Sequence, residues 1–310
     1  MIKIKKVLLS LLAIAIAVSS LSLNVLPVNA ASKKAKTVAA PIGKNWVTSG
    51  NYQFRLTDEG VLDCKFKKKN REVATRVVSA FVYGSDVVYK TDAAIRVYEG
   101  KIDTSYNITM KYAEGVSTTV PINDIILAGF GKGNIYYTAP TNGGARLLFS
   151  FDYKAGTVDF VADYGYISEV YCIDNYVFLL TNTSADSNST GCLCRVDVTN
   201  GKVKVLSSNA ISASFAGKKV YWAEPAGDYT YTLGIGSLNV KTCGISDNKS
   251  KKVVTLDNID TYKTVVCMPK FVTCTSNSGV TFKYTYKNKQ KTAYESYQQK
   301  DLMAQSNVLH

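Results

Sequence analysis

The chain has 310 residues, 46% of them hydrophobic and 20% charged, and its 37 lysines and arginines against 24 acids leave a formal net charge of +13. Its one histidine is His310, so schemes built on a positioned imidazole and histidine-ligated metal sites are excluded. Seven cysteines, an odd number without a CxxC pair, leave at least one thiol unpaired or paired between molecules, and argue for structural rather than zinc-binding roles.

In chain order, residues 1–30 read as a secretory signal peptide. Lys3, Lys5 and Lys6 form its positive start, Val7 to Leu23 its apolar stretch, and Val28-Asn29-Ala30 the small-residue site for a cut ahead of Ala31. The competing reading is an uncleaved anchor, since the apolar run approaches bilayer-spanning length; the Ser19-Ser20 break and Pro27 favour cleavage. The first cysteine is Cys64, which argues against a lipoprotein. The expected product is secreted and extracellular, without stable membrane insertion. Loss of the three signal lysines lowers its formal charge to +10. Residues 31–44, with Lys33, Lys34 and Lys36, read as a basic flexible tether, and 299–310 as a polar tail.

Between them, a hairpin pattern recurs six times: GNYQFRLT (50–57), GSDVVYKT (84–91), KGNIYYTAP (132–140), DNYVFLLTN (174–182), GKKVYWAEP (217–225) and MPKFVTCTS (268–276). Aligned on Gln53, Val87, Ile135, Val177, Val220 and Phe271, the steps are 34, 48, 42, 43 and 51 residues. A repeat of this length built from short strands cannot bury its own faces and must stack on copies. The expected fold is therefore all-β, a β-propeller of six four-stranded blades over residues 45–298.

The unit from Ile126 shows the pattern: ILAGFG, a Gly-Lys-Gly-Asn turn, NIYYTAP, RLLFSFD and TVDFVADY. Asp152-Tyr-Lys-Ala-Gly156 recurs as Asp197-Val-Thr-Asn-Gly201, an aspartate capping a turn with a glycine at its positive-φ exit. The first strands carry small residues (Ala80, Ala128 with Gly129, Cys172, Ala213 with Ser214 and Ala216, Cys267), as crowding near a ring axis requires. Cys172 and Cys267 fall at equivalent repeat positions. The second strands carry Tyr136, Tyr137, Phe178, Tyr221 and Trp222, suited to the space between neighbouring sheets. The last blade needs its fourth strand from Lys291–Gln298; alternatively the segment near Lys36–Ile42 closes the ring by pairing with that sheet.

The cadence of IYYTAP with LLFSFDYKAGTV, and VYWAEP with CLCRVDVTNGKV, resembles the secreted Gram-positive low-density-lipoprotein-receptor-like or TolB-like six-bladed β-propellers. The resemblance is best over 126–256 and extends over 45–298. It implies an extracytoplasmic interaction module rather than a chemistry. The chain departs from the pattern in its first blade and in the insertion Lys241–Lys252.

The functional expectation is a non-catalytic binding or scaffold propeller at the cell surface, with a protein, peptide or glycan ligand, no nucleic acid and no cofactor. Asp163, Tyr164, Tyr166, Trp222, Glu224, Tyr229 and Asp260 are placed at d–a and b–c loops of one face, a platform of aromatics beside carboxylates. The alternative is a carboxylate-based glycan hydrolase or lyase, which needs only two acids, with Asp163, Glu224 and Asp260 as candidates. Asp186-x-Asn188-x-Thr190-Gly191 with Asp197 imitates a calcium loop, but strand residues fill its second half, and no metal is expected. Lys65, Lys67, Lys68, Lys69 and Arg71 form a basic cluster in the first repeat, with Lys283, Lys287, Lys289 and Lys291 in the last. Such fields favour anionic partners, here a cell-wall polymer.

Overall fold

A computed structural model describes residues 39–111, 117–140, 146–162, 166–182, 191–226, 235–260, 262–276 and 278–294. The expected signal peptide and C-terminal tail lie outside these residues. There is no α-helix among them, and the strands form six antiparallel sheets of four consecutive strands, the arrangement of a six-bladed β-propeller.

Strand β1 (Ala39–Pro41) precedes the first sheet, β2 (Val47–Ser49), β3 (Tyr52–Leu56), β4 (Leu62–Phe66) and β5 (Lys69–Ala74). The second is β6 (Val77–Tyr83), β7 (Asp86–Thr91), β8 (Ile95–Glu99) and β9 (Ile102–Tyr106). A small hairpin, β10 (Thr109–Lys111) with β11 (Ser117–Thr119), leads to the third sheet, β12 (Ile126–Gly131), β13 (Asn134–Pro140), β14 (Arg146–Asp152) and β15 (Thr157–Ala162). The fourth is β16 (Tyr166–Ile173), β17 (Tyr176–Asn182), β18 (Gly191–Asp197) and β19 (Lys202–Ala210). The fifth is β20 (Ser212–Ala216), β21 (Lys219–Pro225), β22 (Ile235–Gly244) and β23 (Lys251–Asp260), and the sixth is β24 (Tyr262–Cys267), β25 (Phe271–Ser276), β26 (Thr281–Thr285) and β27 (Lys291–Tyr294).

The unequal repeat steps have structural causes. The first step is short because β3, β4 and β5 have only five, five and six residues, and the β10–β11 hairpin lengthens the second step. The long fifth step comes from β22 and β23, ten residues each, joined by a turn over 245–250. The insertion flagged at Lys241–Lys252 is thus the far end of a regular hairpin.

Successive sheets are cemented by apolar side chains facing each other across the gap. Phe54, Leu62 and Cys64 of the first sheet meet Val82, Val87 and Tyr89 of the second. One core runs through sheets two to four, including Phe81, Val88, Ile135, Tyr137, Val177 and Val196. Phe178 and Leu193 of the fourth meet Phe215 and Trp222 of the fifth, and Tyr221 and Val240 of the fifth meet Val265 and Val272 of the sixth. The aromatic second strands fill these gaps as expected.

Two expectations about the chain ends change. Residues 39–44 are part of the fold rather than a tether: β1 pairs antiparallel with β6 (Ala39↔Tyr83, Pro41↔Phe81), and Ile42 N–H donates to the Ala80 carbonyl at 2.8 Å. This strand therefore extends the second sheet, not the last. Small size suits it to that place, since Ala39 is fully buried and its N–H reaches Asn175 Oδ1 of the fourth sheet at 2.8 Å.

The repeated turns follow their sequence chemistry. Asp152 Oδ1 accepts from the Lys154 and Ala155 N–H groups at 2.9 and 3.0 Å, and Asp197 Oδ1 from Thr199 N–H at 2.9 Å. Gly156 and Gly201 leave these turns at φ +71° and +72°. Gly131 is needed for a different reason. A Cβ there would lie 2.5 Å from the Val198 carbonyl oxygen, so sheets three and four touch backbone to side-chain-free backbone. We expect Gly131→Ala to lower unfolding free energy by about 2 kcal/mol in urea titrations, the usual scale of overpacking. A destabilisation within about 0.5 kcal/mol, as for ordinary surface changes, would refute that contact.

Candidate ligand site at the turn edge of the first two sheets

Of the residues expected to form a platform, two have described side chains. Trp222 and Glu224 lie within β21 rather than at a loop, and both are buried. Successive strand residues alternate faces, so Val220, Trp222 and Glu224 all point into the gap toward the fourth sheet. Trp222 Nε1–H donates to Glu224 Oε1 at 2.8 Å, and Glu224 Oε2 pairs with Lys241 Nζ at 2.5 Å. Burial alone would push this carboxyl up. Hydrogen bonds from Lys241, Ser207 and Trp222 outweigh it and hold the carboxyl below its ordinary value. Glu224 is thus a fixed structural anion, engaged on both oxygens, and is not placed to act on a substrate at a loop face.

Asp163, Tyr164 and Tyr229 lie outside the described residues, as does the calcium-like stretch 186–190. Tyr166 opens β16 opposite Asn182, and Asp260 ends β23 opposite Ile235. Asp197, the twelfth position of that stretch, is occupied by its own turn, binding Thr199 and Asn200. No cluster of three or more histidine, cysteine or acidic side chains suited to a metal occurs among the described residues.

The basic cluster has a definite setting. Lys65 is the penultimate residue of β4, Lys67 and Lys68 form the two-residue turn with Lys67 at φ +57°, and Lys69 and Arg71 lie on the edge strand β5. All but Lys65 are well exposed. Beside them, at the same end of the second sheet, is the β8–β9 turn of Gly100 and Lys101. Between the two turns is a groove of about 660 Å³ lined by Tyr52, Phe66, Lys69, Arg71, Lys101 and Ile102, with Asn70, Glu99 and Gly100 completing it.

The groove floor is aromatic. Tyr52 and Phe66 are cross-strand partners whose rings stack at 4.7 Å and 24°. Phe66 and Ile102 remain 38% and 65% exposed, large for apolar side chains and adjacent here. Arg71 is held as a wall, its guanidinium 5.0 Å from the Tyr98 ring centroid and its Nη2 donating to the Gly100 carbonyl. Glu99, the acid of the lining, is drawn the other way by Tyr153 Oη at 3.0 Å and Lys154 Nζ at 3.5 Å in the third sheet.

No protein-family model matches this sequence, and no curated protein matches it. Solved structures do resemble the fold. The N-terminal domain of Nup159 aligns with TM-score 0.40 at 13% identity, over 69% of this chain and 59% of that one. TolB from Acinetobacter baumannii aligns at 0.35 and 12%, over 84% and 65%, and a putative TolB from Agrobacterium tumefaciens at 0.36 and 13%, over 83% and 90%. The chain thus spans under two thirds of the first two. These are likenesses of strand architecture and assign no family, ligand or reaction.

The groove lies at the opposite end of the strands from the loops singled out in the sequence. In a meander of four strands the a–b and c–d turns share one end and the b–c and d–a loops the other. Tyr52, Phe66, Lys69, Lys101 and Ile102 all flank a–b or c–d turns. The overlooked signal was Phe66 at a strand end with Tyr52 opposite, an apolar pair beside lysines where polar residues close most turns.

Proposed function

We propose that this protein is an exported, non-catalytic binding or scaffold propeller that holds an anionic partner at the cell surface through the basic edge of its first sheet. The observation that carries the reading is the clustering of Lys67, Lys68, Lys69 and Arg71 on one exposed hairpin, beside Lys101 of the next sheet, with no ion pair to any of these five among the described residues. Unpaired cations of one sign, held by a rigid hairpin, raise local anion concentration and speed encounter. The secretory signal in the sequence supports an extracellular setting, where wall polymers supply such anions.

Electrostatic retention weakens as screening shortens its reach from about 8 Å at physiological ionic strength to about 3 Å at 1 M. In cell fractionation the protein should stay with the wall at low salt and elute as salt rises toward 1 M, and neutralising Lys67, Lys68 and Lys69 together should release it at lower salt. Retention indifferent both to salt and to the triple substitution would overturn the reading.

A further inference from the structure

A bare lysine patch would take any polyanion, but the groove between the first two sheets combines charge with flat apolar surface. Its floor is the stacked Tyr52–Phe66 pair with Ile102 beside it, and its rim carries Lys69, Arg71 and Lys101. Neither the Lys69 nor the Lys101 ammonium is ion-paired among the described residues. Lys69 follows one tight turn and Lys101 lies in another, so their positions are set by the hairpins rather than by long loops. A volume of about 660 Å³ lies in the range that accommodates a small-molecule-sized piece of a larger ligand.

We propose that this groove binds an acidic polysaccharide, one sugar ring packing on the exposed ring of Phe66, which Tyr52 backs, while its carboxylate or phosphate meets Lys69 and Lys101. The proposal rests on the reading of the protein as a binder of anionic partners and specifies the ligand and the site. The aromatic floor decides between classes of polyanion. The C–H face of a pyranose packs against a ring face, whereas the extended backbone of an acidic peptide has no comparable flat surface to offer. The single acid of the lining, Glu99, is turned toward Tyr153 and Lys154, which leaves the rim cationic. Arg71, clamped on Tyr98 and Gly100, fixes the spacing of the two turns, so the groove needs little ordering before it binds.

The test measures binding of the full chain to immobilised polygalacturonate, phosphomannan, dextran and polyglutamate, with circular dichroism melting as the check on folding. Polygalacturonate should bind at least about tenfold more tightly than dextran or polyglutamate, and comparison with phosphomannan tells carboxylate from phosphate as the recognised group. Lys69→Gln with Lys101→Gln should weaken polygalacturonate binding about tenfold and flatten its salt dependence. Phe66→Ala should weaken it several-fold while leaving the salt dependence as it was. Should that variant fail to fold, Ile102→Ser on the exposed groove wall serves instead. Polyglutamate bound as tightly as the acidic glycans, or groove variants that bind like the unchanged protein, would overturn the assignment. Salt-sensitive retention on cells that survives the groove substitutions would sink this site alone, whereas absence of that retention would sink the broader reading.

Discussion

Replacing Arg195 with methionine is expected to lower the free energy of unfolding by about 3 kcal/mol, among the larger single-site effects in this chain. Arg195 projects from β18 of the fourth sheet and is 6% exposed. Its guanidinium reaches the fifth sheet's β22–β23 turn, where Nη1 donates to the Ile245 and Asp247 carbonyls at 2.9 and 2.7 Å and Nη2 to Asn248 Oδ1 at 2.9 Å. The Tyr176 ring covers it at 4.9 Å. Methionine fills much of the volume but leaves the buried Ile245 carbonyl and the part-buried Asp247 carbonyl without this donor, and the desolvation of the first dominates the loss. Lysine keeps the charge, but a single ammonium cannot reproduce the fork, so Arg195→Lys should fall between the two. Urea titration gives the magnitude, and limited proteolysis should show cleavage at 245–250 rising in the methionine variant. A methionine variant as stable as the parent, with the turn equally protected, would mean that the contact contributes nothing.

That contact illustrates what the sequence could and could not reveal. Repetition was legible because turn chemistry is local: Asp152 and Asp197 bind amides two residues on, and Gly156 and Gly201 take the positive φ that follows. The strands were legible because each hairpin repeats a short apolar run. Val87, Ile135, Val177 and Val220 are all fully buried second residues of their strands. The sixth copy was aligned one residue early, since Phe271 is half-buried and Val272 is the fully buried equivalent, paired with Cys267 as Val177 is with Cys172. A strand's period of two makes such a slip exchange core for surface. The same rule could have placed Glu224: two residues beyond Trp222, it had to share that side chain's face. Contacts between sheets were not legible. Arg195 meets residues fifty positions away, and β1 joins the second sheet rather than the last, because both depend on how blades stack rather than on any local pattern. The groove escaped for that reason too, half of it belonging to each of two sheets.

Acid should weaken the fold through Glu224, and the direction follows from its surroundings. Its carboxyl is held below the ordinary 4.5 when folded. A depressed folded value means that the unfolded chain takes up the proton first as pH falls. The associated stability is therefore fully present above about pH 4.5 and is lost as pH drops through the lower folded value. Glu224→Gln keeps the shape and can still accept from Trp222 Nε1–H, but it leaves Lys241 facing a neutral amide; we expect a loss of about 2 kcal/mol at pH 7. Glu224→Leu should lose about 3 kcal/mol, since the Trp222 N–H and the Lys241 ammonium are then both left in the gap without their partner. The glutamine variant carries no titrating group here, so the difference between it and the parent should shrink as pH is lowered below 4. Equilibrium unfolding from pH 7 to 3 measures this directly. A difference that stays constant across the range would show that the carboxylate's charge is irrelevant, and that Glu224 serves only by filling space beside Trp222.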